Sequence, residues 1–210
     1  MAEALNLGTG ELFAVAAALG WASGMRLYAV VFFTGLAGHL GWVPLPAGLQ
    51  LLQQPLLLWA SGVLLVVEFV ADKVPLVDSA WDALHTVIRV PAGAALAAGV
   101  FGGVFGGDQQ QWALLAALLG GTLAATSHVA KASTRAAVNT SPEPFSNIGL
   151  SLLGDLSVPA LLWLAWEHPG WAVAALVLGV LLAITLIALT FKFVRALARR
   201  LRPTRRLNHV

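Results

Sequence analysis

The chain has 210 residues, 59% of them hydrophobic and 10% charged, whereas soluble domains carry about 25% charged residues. Its mean hydropathy of +0.82 reflects more apolar material than a water-soluble core of this length can bury, which excludes an ordinary soluble enzyme. There is no cysteine, which excludes a disulfide framework, thiolate zinc ligation and a cysteine nucleophile.

A membrane-crossing helix needs roughly 20 apolar residues, so one domain of about six spans fits the length. The start, Met1-Ala2-Glu3, is acidic and no small-residue cleavage pattern follows, so no signal peptide is expected. In chain order the expected spans are 11–37, 55–71, 79–106, 110–131, 145–166 and 170–194. The first two are parted by Gly41-Trp-Val-Pro44-Leu-Pro46, and Pro55 suits the first turn of the second. Gly106-Gly107-Asp108 parts the third from the fourth. Asn139-Thr-Ser-Pro142-Glu-Pro144 is a strong helix stop before the fifth, and Glu167-His168-Pro169-Gly170 separates the last two. Residues 1–195 thus read as one transmembrane domain and 196–210 as a basic cytoplasmic tail.

Charge asymmetry gives orientation. With both termini cytoplasmic, the outer loops 38–54, 107–110 and 167–170 hold no Lys or Arg. The inner segments hold Lys73, Arg89, Lys131, Arg135 and the tail residues Lys192, Arg195, Arg199, Arg200, Arg202, Arg205 and Arg206. Arg89, Lys131 and Arg135 count less here if they sit within the membrane. The pI near 9.5 stems largely from this tail, which follows an apolar helix. That placement meets anionic lipid, at about 1 kcal/mol per charge, and does not suggest nucleic acid. The tryptophans 21, 42, 59, 81, 112, 163, 166 and 171 mostly fall near span ends, as in an aromatic belt. Gly35, Gly38, Gly99, Gly102, Gly103, Gly120 and Gly121 suit close helix packing. His39 and His168 lie in outer turns and His209 in the tail.

Two sequence echoes suggest a repeat. Ala22-Ser-Gly-Met-Arg26 is similar to Ala132-Ser-Thr-Arg135, and Ala71-Asp72-Lys-Val-Pro75 to Gly154-Asp155-Leu-Ser-Val-Pro159. The halves 11–106 and 110–194 would each hold three spans and so be inverted, an architecture common in transporters. Chance similarity between apolar helices is the competing explanation.

Ionisable residues in or beside apolar helices are costly and mark function by default. One cluster runs from Glu68 through Asp72, Asp78, Asp82, His85 and Arg89. Glu68 and Asp72 stack on one face, and Asp78, Asp82, His85 and Arg89 form one stripe at helical spacing. Such a stripe suits a cavity wall or a proton relay, and equally an amphipathic helix with a solvated face. Whether 72–90 lies on the surface or re-enters is open. In a second cluster His128, Lys131, Arg135 and Asn139 share a face, followed by Ser141 and Glu143. Its two cations need carboxylates, a bound anion or water. Ser141 and Ser146 are also ordinary helix-cap residues. Arg26 lies midway through the first span, where Gly24 permits a break. Glu68, Asp72 and Asp155 are its expected partners, and Asp155 needs a partner in space or carries a proton.

The set Gly24-Met-Arg26-Leu-Tyr28, Glu68-x3-Asp72-Lys73-x-Pro75-x2-Asp78, Trp81-Asp82-x2-His85-Thr86-x-Ile88-Arg89 and Lys131-x3-Arg135-x3-Asn139-x-Ser141-Pro142-Glu143-Pro144 resembles the bacterial membrane family called domain of unknown function 4126. The resemblance covers roughly residues 11–165. It implies a multi-span membrane protein, in a bacterium the cytoplasmic membrane, and brings no substrate or reaction.

The reading that follows is an all-α integral membrane protein with interrupted or re-entrant segments that transports or conducts a small anionic solute with proton coupling. Arg26, Arg89, Lys131, Arg135, Asn139 and Ser141 would bind substrate. Glu68, Asp72, Asp78, Asp82, His85, His128, Glu143 and Asp155 would couple protons or form ion pairs. No cofactor and no catalytic residue is expected; the partners are the bilayer, a small solute or ion, and other copies in a homodimer or higher oligomer. The alternative is a Mg²⁺-dependent intramembrane enzyme or flippase for a lipid phosphate, with Glu68, Asp72, Asp78 and Asp82 as metal ligands. A membrane scaffold acting through the tail is a third reading, which leaves the intramembrane charges unexplained. There is no Walker, Rossmann or His-Glu-x-x-His motif.

Overall fold

The computed structural model describes residues 8–74, 76–102, 109–140 and 145–201. Among them all regular structure is helical: α1 (Thr9–His39), a 3-10 helix (Ala47–Gln53), α2 (Pro55–Ala71), α3 (Val77–Val100), α4 (Gln109–Val138), α5 (Phe145–Glu167) and α6 (Pro169–Leu201). Helices α1, α3, α4, α5 and α6 are each long and apolar enough to cross a membrane. A sixth crossing results when the 3-10 helix and α2, bent by 70° to one another, count as one span. The protein is an all-α membrane protein.

Helix α1 is the hub and touches all five other α-helices. Its sequence explains this. Ala14, Ala16, Ala18, Gly20, Ala22 and Gly24 are small and buried, and small residues let membrane helices approach backbone to backbone. A Cβ on Gly20 would fall 2.6 Å from the Gly120 carbonyl oxygen of α4, and one on Gly120 would fall 2.7 Å from the Gly93 carbonyl oxygen of α3. Helices α1, α3 and α4 therefore meet at a crossing no side chain can enter.

The expected break in α1 is found. Arg26 has φ −148° and ψ 85°, outside the helical region, two residues past Gly24. Such a break frees carbonyls that lipid cannot satisfy. Here α3 and α4 satisfy them: Arg89 Nη1 donates to the Gly24 carbonyl at 3.4 Å and Lys131 Nζ to the Met25 carbonyl at 3.0 Å. Cations at a helix C-terminus also oppose its dipole.

Several boundaries differ from the sequence reading. The third span ends at Val100 rather than 106, because Phe101 and Gly102 form a turn. The fourth runs on to Val138 rather than 131: its Lys131 and Arg135 are matched by acids, so the helix need not end where charge begins. The segment 38–54, expected as an outer loop, contains the 3-10 helix. Residues 77–90 are the first half of one continuous helix that carries Pro91 inside it. On α3 the polarity of a water-facing amphipathic helix is reversed. Asp78, Asp82, His85 and Arg89 are buried while Leu84, Val87 and Ile88 are exposed, so the solvated-face alternative is excluded. Trp21, by contrast with the exposed Trp42, Trp59, Trp163 and Trp171, is buried mid-helix and belongs to the core rather than to a belt. His39 and His168 are exposed.

Replacing Gly120 by Val should cost on the order of 1–3 kcal/mol, read as a lower unfolding free energy of the purified protein in detergent micelles. An unchanged value would show that the α1–α3–α4 crossing can relax.

Candidate functional site

The polar residues on these apolar helices converge on one network. Arg26 Nη2 lies 3.0 Å from Asp72 Oδ2 and 2.8 Å from Asp155 Oδ1. Lys131 bridges Asp72 at 2.9 Å and Asp82 at 3.1 Å. Arg135 reaches Asp72 at 3.3 Å and Asp78 at 3.0 Å, and also donates to the Asp72 backbone carbonyl at 2.8 Å. Arg89 holds Glu68 at 2.7 Å and Asp82 at 2.8 Å. Lys73 closes on Asp155 at 2.9 Å. The network thus has five cations (Arg26, Lys73, Arg89, Lys131, Arg135) and five carboxylates (Glu68, Asp72, Asp78, Asp82, Asp155), and its net charge is zero.

Each element supplies its members for a local reason. Asp72 caps the end of α2 and Asp78 opens α3, with a tight turn between them. Leu76 in that turn has φ 71°, a left-handed conformation that costs a non-glycine residue free energy and persists only where the surroundings hold it. Here Arg135 and Asn139 hold it from the far side. Asn139 Nδ2 donates to Asp78 Oδ1 at 3.0 Å and to Ser79 Oγ at 2.9 Å. On α5, Asn147, Ser151 and Asp155 recur every four residues and so share one face. Ser151 accepts from Arg26 through both its carbonyl and its hydroxyl, at 3.1 and 3.0 Å.

The two histidines lie beside the network. A carbonyl can only accept, so His85 Nδ1–H donates to the Trp81 carbonyl at 2.8 Å, leaving Nε2 against the Tyr28 hydroxyl at 3.0 Å. The rings of His85 and Trp81 stack at 4.1 Å. Thr86 Oγ1 donates to the Asp82 carbonyl at 3.0 Å, so it accepts from His128 Nε2–H at 2.9 Å. His128 Nδ1 is then the acceptor for Arg89 Nη1 at 3.2 Å. The hydrogen bonds alone fix this tautomer.

A cavity of about 550 Å³ adjoins the network. It lies among α1, α4, α5 and α6, and Arg26, Asp72, Lys131 and Arg135 line its polar part while leucines of α5 and α6 line the rest. Several polar atoms have no partner. Arg26 spends only Nη2 on its contacts; its Nε and Nη1 are buried without an acceptor, and the amide nitrogen and oxygen of Asn147 are buried without a partner, among the described residues. An unmet buried donor costs on the order of 1–3 kcal/mol.

Of the residues singled out in the sequence, Arg26, Arg89, Lys131, Arg135, Asn139, Glu68, Asp72, Asp78, Asp82 and Asp155 come together, with His85 and His128 adjoining. Ser141 and Glu143 lie outside the described residues, as do Arg202, Arg205, Arg206 and His209 of the tail. Arg26 takes two of its three expected partners, and Glu68 goes to Arg89. Each of the four acids considered as Mg²⁺ ligands is held by a cation, and no three acid or histidine side chains converge on a metal-sized point among the described residues. Sequence reasoning missed Lys73, Tyr28 and Ser151 as site residues. Lys73 was counted as a loop charge. Tyr28 is the chain's one tyrosine, and the four-residue recurrence ending at Asp155 was the available signal for Ser151.

Breaking a fully buried ion pair leaves a naked charge, at about 3–5 kcal/mol. Arg89→Met should therefore destabilise by that order, and adding Glu68→Leu should recover part of the loss. Unfolding free energies of both singles and the double in micelles test this. Strictly additive losses would show that Arg89 and Glu68 do not act as a pair.

No curated protein and no solved structure matches the chain. A family model described as Domain of unknown function (DUF4126) matches residues 13–189. That stretch takes in the described ion network and the cavity-lining residues, and the chain belongs to this family.

Proposed function

We propose that the protein is a proton-coupled transporter of a small anionic solute, with the cavity as its substrate chamber. The observation that carries this reading is the cavity ending on Arg26, Asp72, Lys131 and Arg135, part of a network whose charge sums to zero. A neutral network at low dielectric has no free charge with which to attract an anion. Protonating one carboxylate changes that. Nine-tenths or more of every other charged side chain in the network is buried, while Asp155 and Lys73 keep 15% and 22% exposure. Asp155 is therefore the carboxylate a proton reaches first. Once it is protonated, Arg26 and Lys73 share one fewer counter-charge and the network stands at +1, ready for one anion. Proton and anion enter together or not at all.

The broken α1 supports this reading, since interrupted helices whose termini face charged groups are a recurrent device of transporter sites. The paired halves support it too: α1–α3 and α4–α6 each hold three helices, Arg26 and Arg135 sit on the first helix of each half, and Asp72 and Asp155 both flank Arg26. We read these as inverted repeats. The absence of Lys and Arg from the expected outer loops supports placing both termini in the cytoplasm of a bacterial inner membrane.

Purified protein in liposomes with a trapped pH dye should carry one class of small anion inward together with protons, faster as the outside is acidified. Asp155→Asn mimics the protonated state permanently, so it should keep anion-for-anion exchange while losing proton-driven accumulation. If neither solute nor proton moves faster than in empty liposomes, transport is ruled out. If Asp155→Asn accumulates solute like the parent, Asp155 is not the proton site.

A further inference from the structure

The cavity is far more apolar than a chamber for an inorganic ion needs to be. Beyond its charged end it is walled by Leu150, Leu153, Leu161 and Leu164 of α5 and Leu182 and Leu186 of α6. Leu153, Leu182 and Leu186 are also 65%, 55% and 41% exposed, so this wall continues to the outer face of the helices. In a membrane-spanning bundle that face meets lipid tails, and the chamber opens sideways into the bilayer. Its volume, about 550 Å³, lies within the roughly 300–1,000 Å³ typical of organic-ligand sites.

At the charged end, Arg26 offers what a ligand head would need. Its Nη2 is committed to Asp72, Asp155 and Ser151, while Nε–H and the Nη1 hydrogens have no acceptor among the described residues. Next to Nε stands Gly154. The place a Cβ would occupy there is 3.4 Å from Arg26 Nε and 4.0 Å from the Met25 methyl. Both Gly154 and Arg26 line the cavity. Residue 154 thus has the one side chain, a hydrogen, that leaves the guanidinium open toward the chamber. The Nε–H, on the guanidinium edge nearest Gly154, can donate one charge-assisted hydrogen bond to an oxygen of a carboxylate or phosphate.

We infer that the cavity binds an amphiphile, an anionic acceptor head of carboxylate or phosphate-monoester chemistry seated on Arg26 beside Gly154 with an apolar chain laid along the α5 and α6 leucines toward the bilayer. This deepens the transport reading by naming the substrate class and rests on it for the chamber's purpose. The lateral opening is the entry route, since such molecules concentrate in the membrane rather than in water. The head-and-chain chemistry is shared by free single-chain amphiphiles and by anionic phospholipids.

The test uses the full chain in nanodiscs of phosphatidylcholine, with no gradient. Trp21 lines the cavity, so ω-bromododecanoate should quench tryptophan fluorescence in a saturable phase above the linear background from bromine dissolved in the disc. Dodecanoate and dodecyl phosphate should displace that phase; dodecanol should do so at least about tenfold less well, having lost the charged pair, and acetate not at all. Gly154→Leu should abolish the saturable phase. Arg26→Gln removes the charge and Nε, and should bring dodecanol at least to parity with dodecanoate. Phosphatidate added to the disc distinguishes the sources: displacement assigns the site to a bilayer lipid, and failure to displace assigns it to a free single-chain molecule. Linear quenching alone overturns the inference, as does equal competition by dodecanol in the parent protein or a saturable phase that survives both substitutions. A saturable site in a protein that moves nothing across liposomes overturns transport alone; flux of a small anion without the site overturns only the amphiphile.

Discussion

An ionised side chain removed from water must find its counter-charge inside the protein, and the whole bundle is organised around meeting that requirement ten times over. Among the described residues, five cations and five carboxylates drawn from α1, α3, α4, α5 and the end of α2 close on one another. Asp72 alone takes Arg26, Lys131 and Arg135. Such pairing is a poor source of net stability, because desolvation offsets most of the attraction. Its contribution is geometric. A helix rotated about its axis would strand a charge in lipid, so the ion pairs fix the rotation of each helix that purely apolar contacts would leave loosely determined.

The same accounting explains the irregular backbone. The unhelical Arg26, the left-handed Leu76 and the carbonyls released at Gly24 and Met25 would each be penalised alone. Placed against Arg89, Lys131, Arg135 and Asn139 they become acceptors or hinges that the network uses. The glycine crossing of α1, α3 and α4 belongs to the same scheme, since only backbones in contact bring Arg89 and Lys131 within reach of carbonyls on α1.

Much of this was legible in the sequence, and the boundary between what was and was not is physical. Hydropathy and Pro/Gly punctuation gave the helices, because span length is imposed by the bilayer. Recurrences of three and four residues placed Asp78, Asp82, His85 and Arg89 on one face, and likewise His128, Lys131, Arg135 and Asn139, because helical period is local. Periodicity does not say which way a stripe faces; burial of the α3 stripe is decided by the acids and bases on other helices. Partner choice was illegible for the same reason. Arg26 takes Asp72 and Asp155 over Glu68 because of where the break in α1 aims its side chain, a tertiary fact. Tyr28 against His85 and the cavity beside Gly154 likewise exist only once helices distant in sequence are packed.

The network's span along the chain also bears on how the protein is made. Arg26 emerges in the first helix, yet one of its carboxylates, Asp155, belongs to the fifth. A nascent chain inserting helix by helix would carry an arginine at membrane depth without its full set of counter-ions until most of the protein has been synthesised. Early helices would then be held near the insertion machinery, or would sit shallowly with their charges reaching for the interface, until α5 arrives. Helix α6 contributes nothing to the network and packs over it through apolar contacts. It can join last, after the charges are matched, which makes ionic assembly followed by apolar closure the natural order of biogenesis.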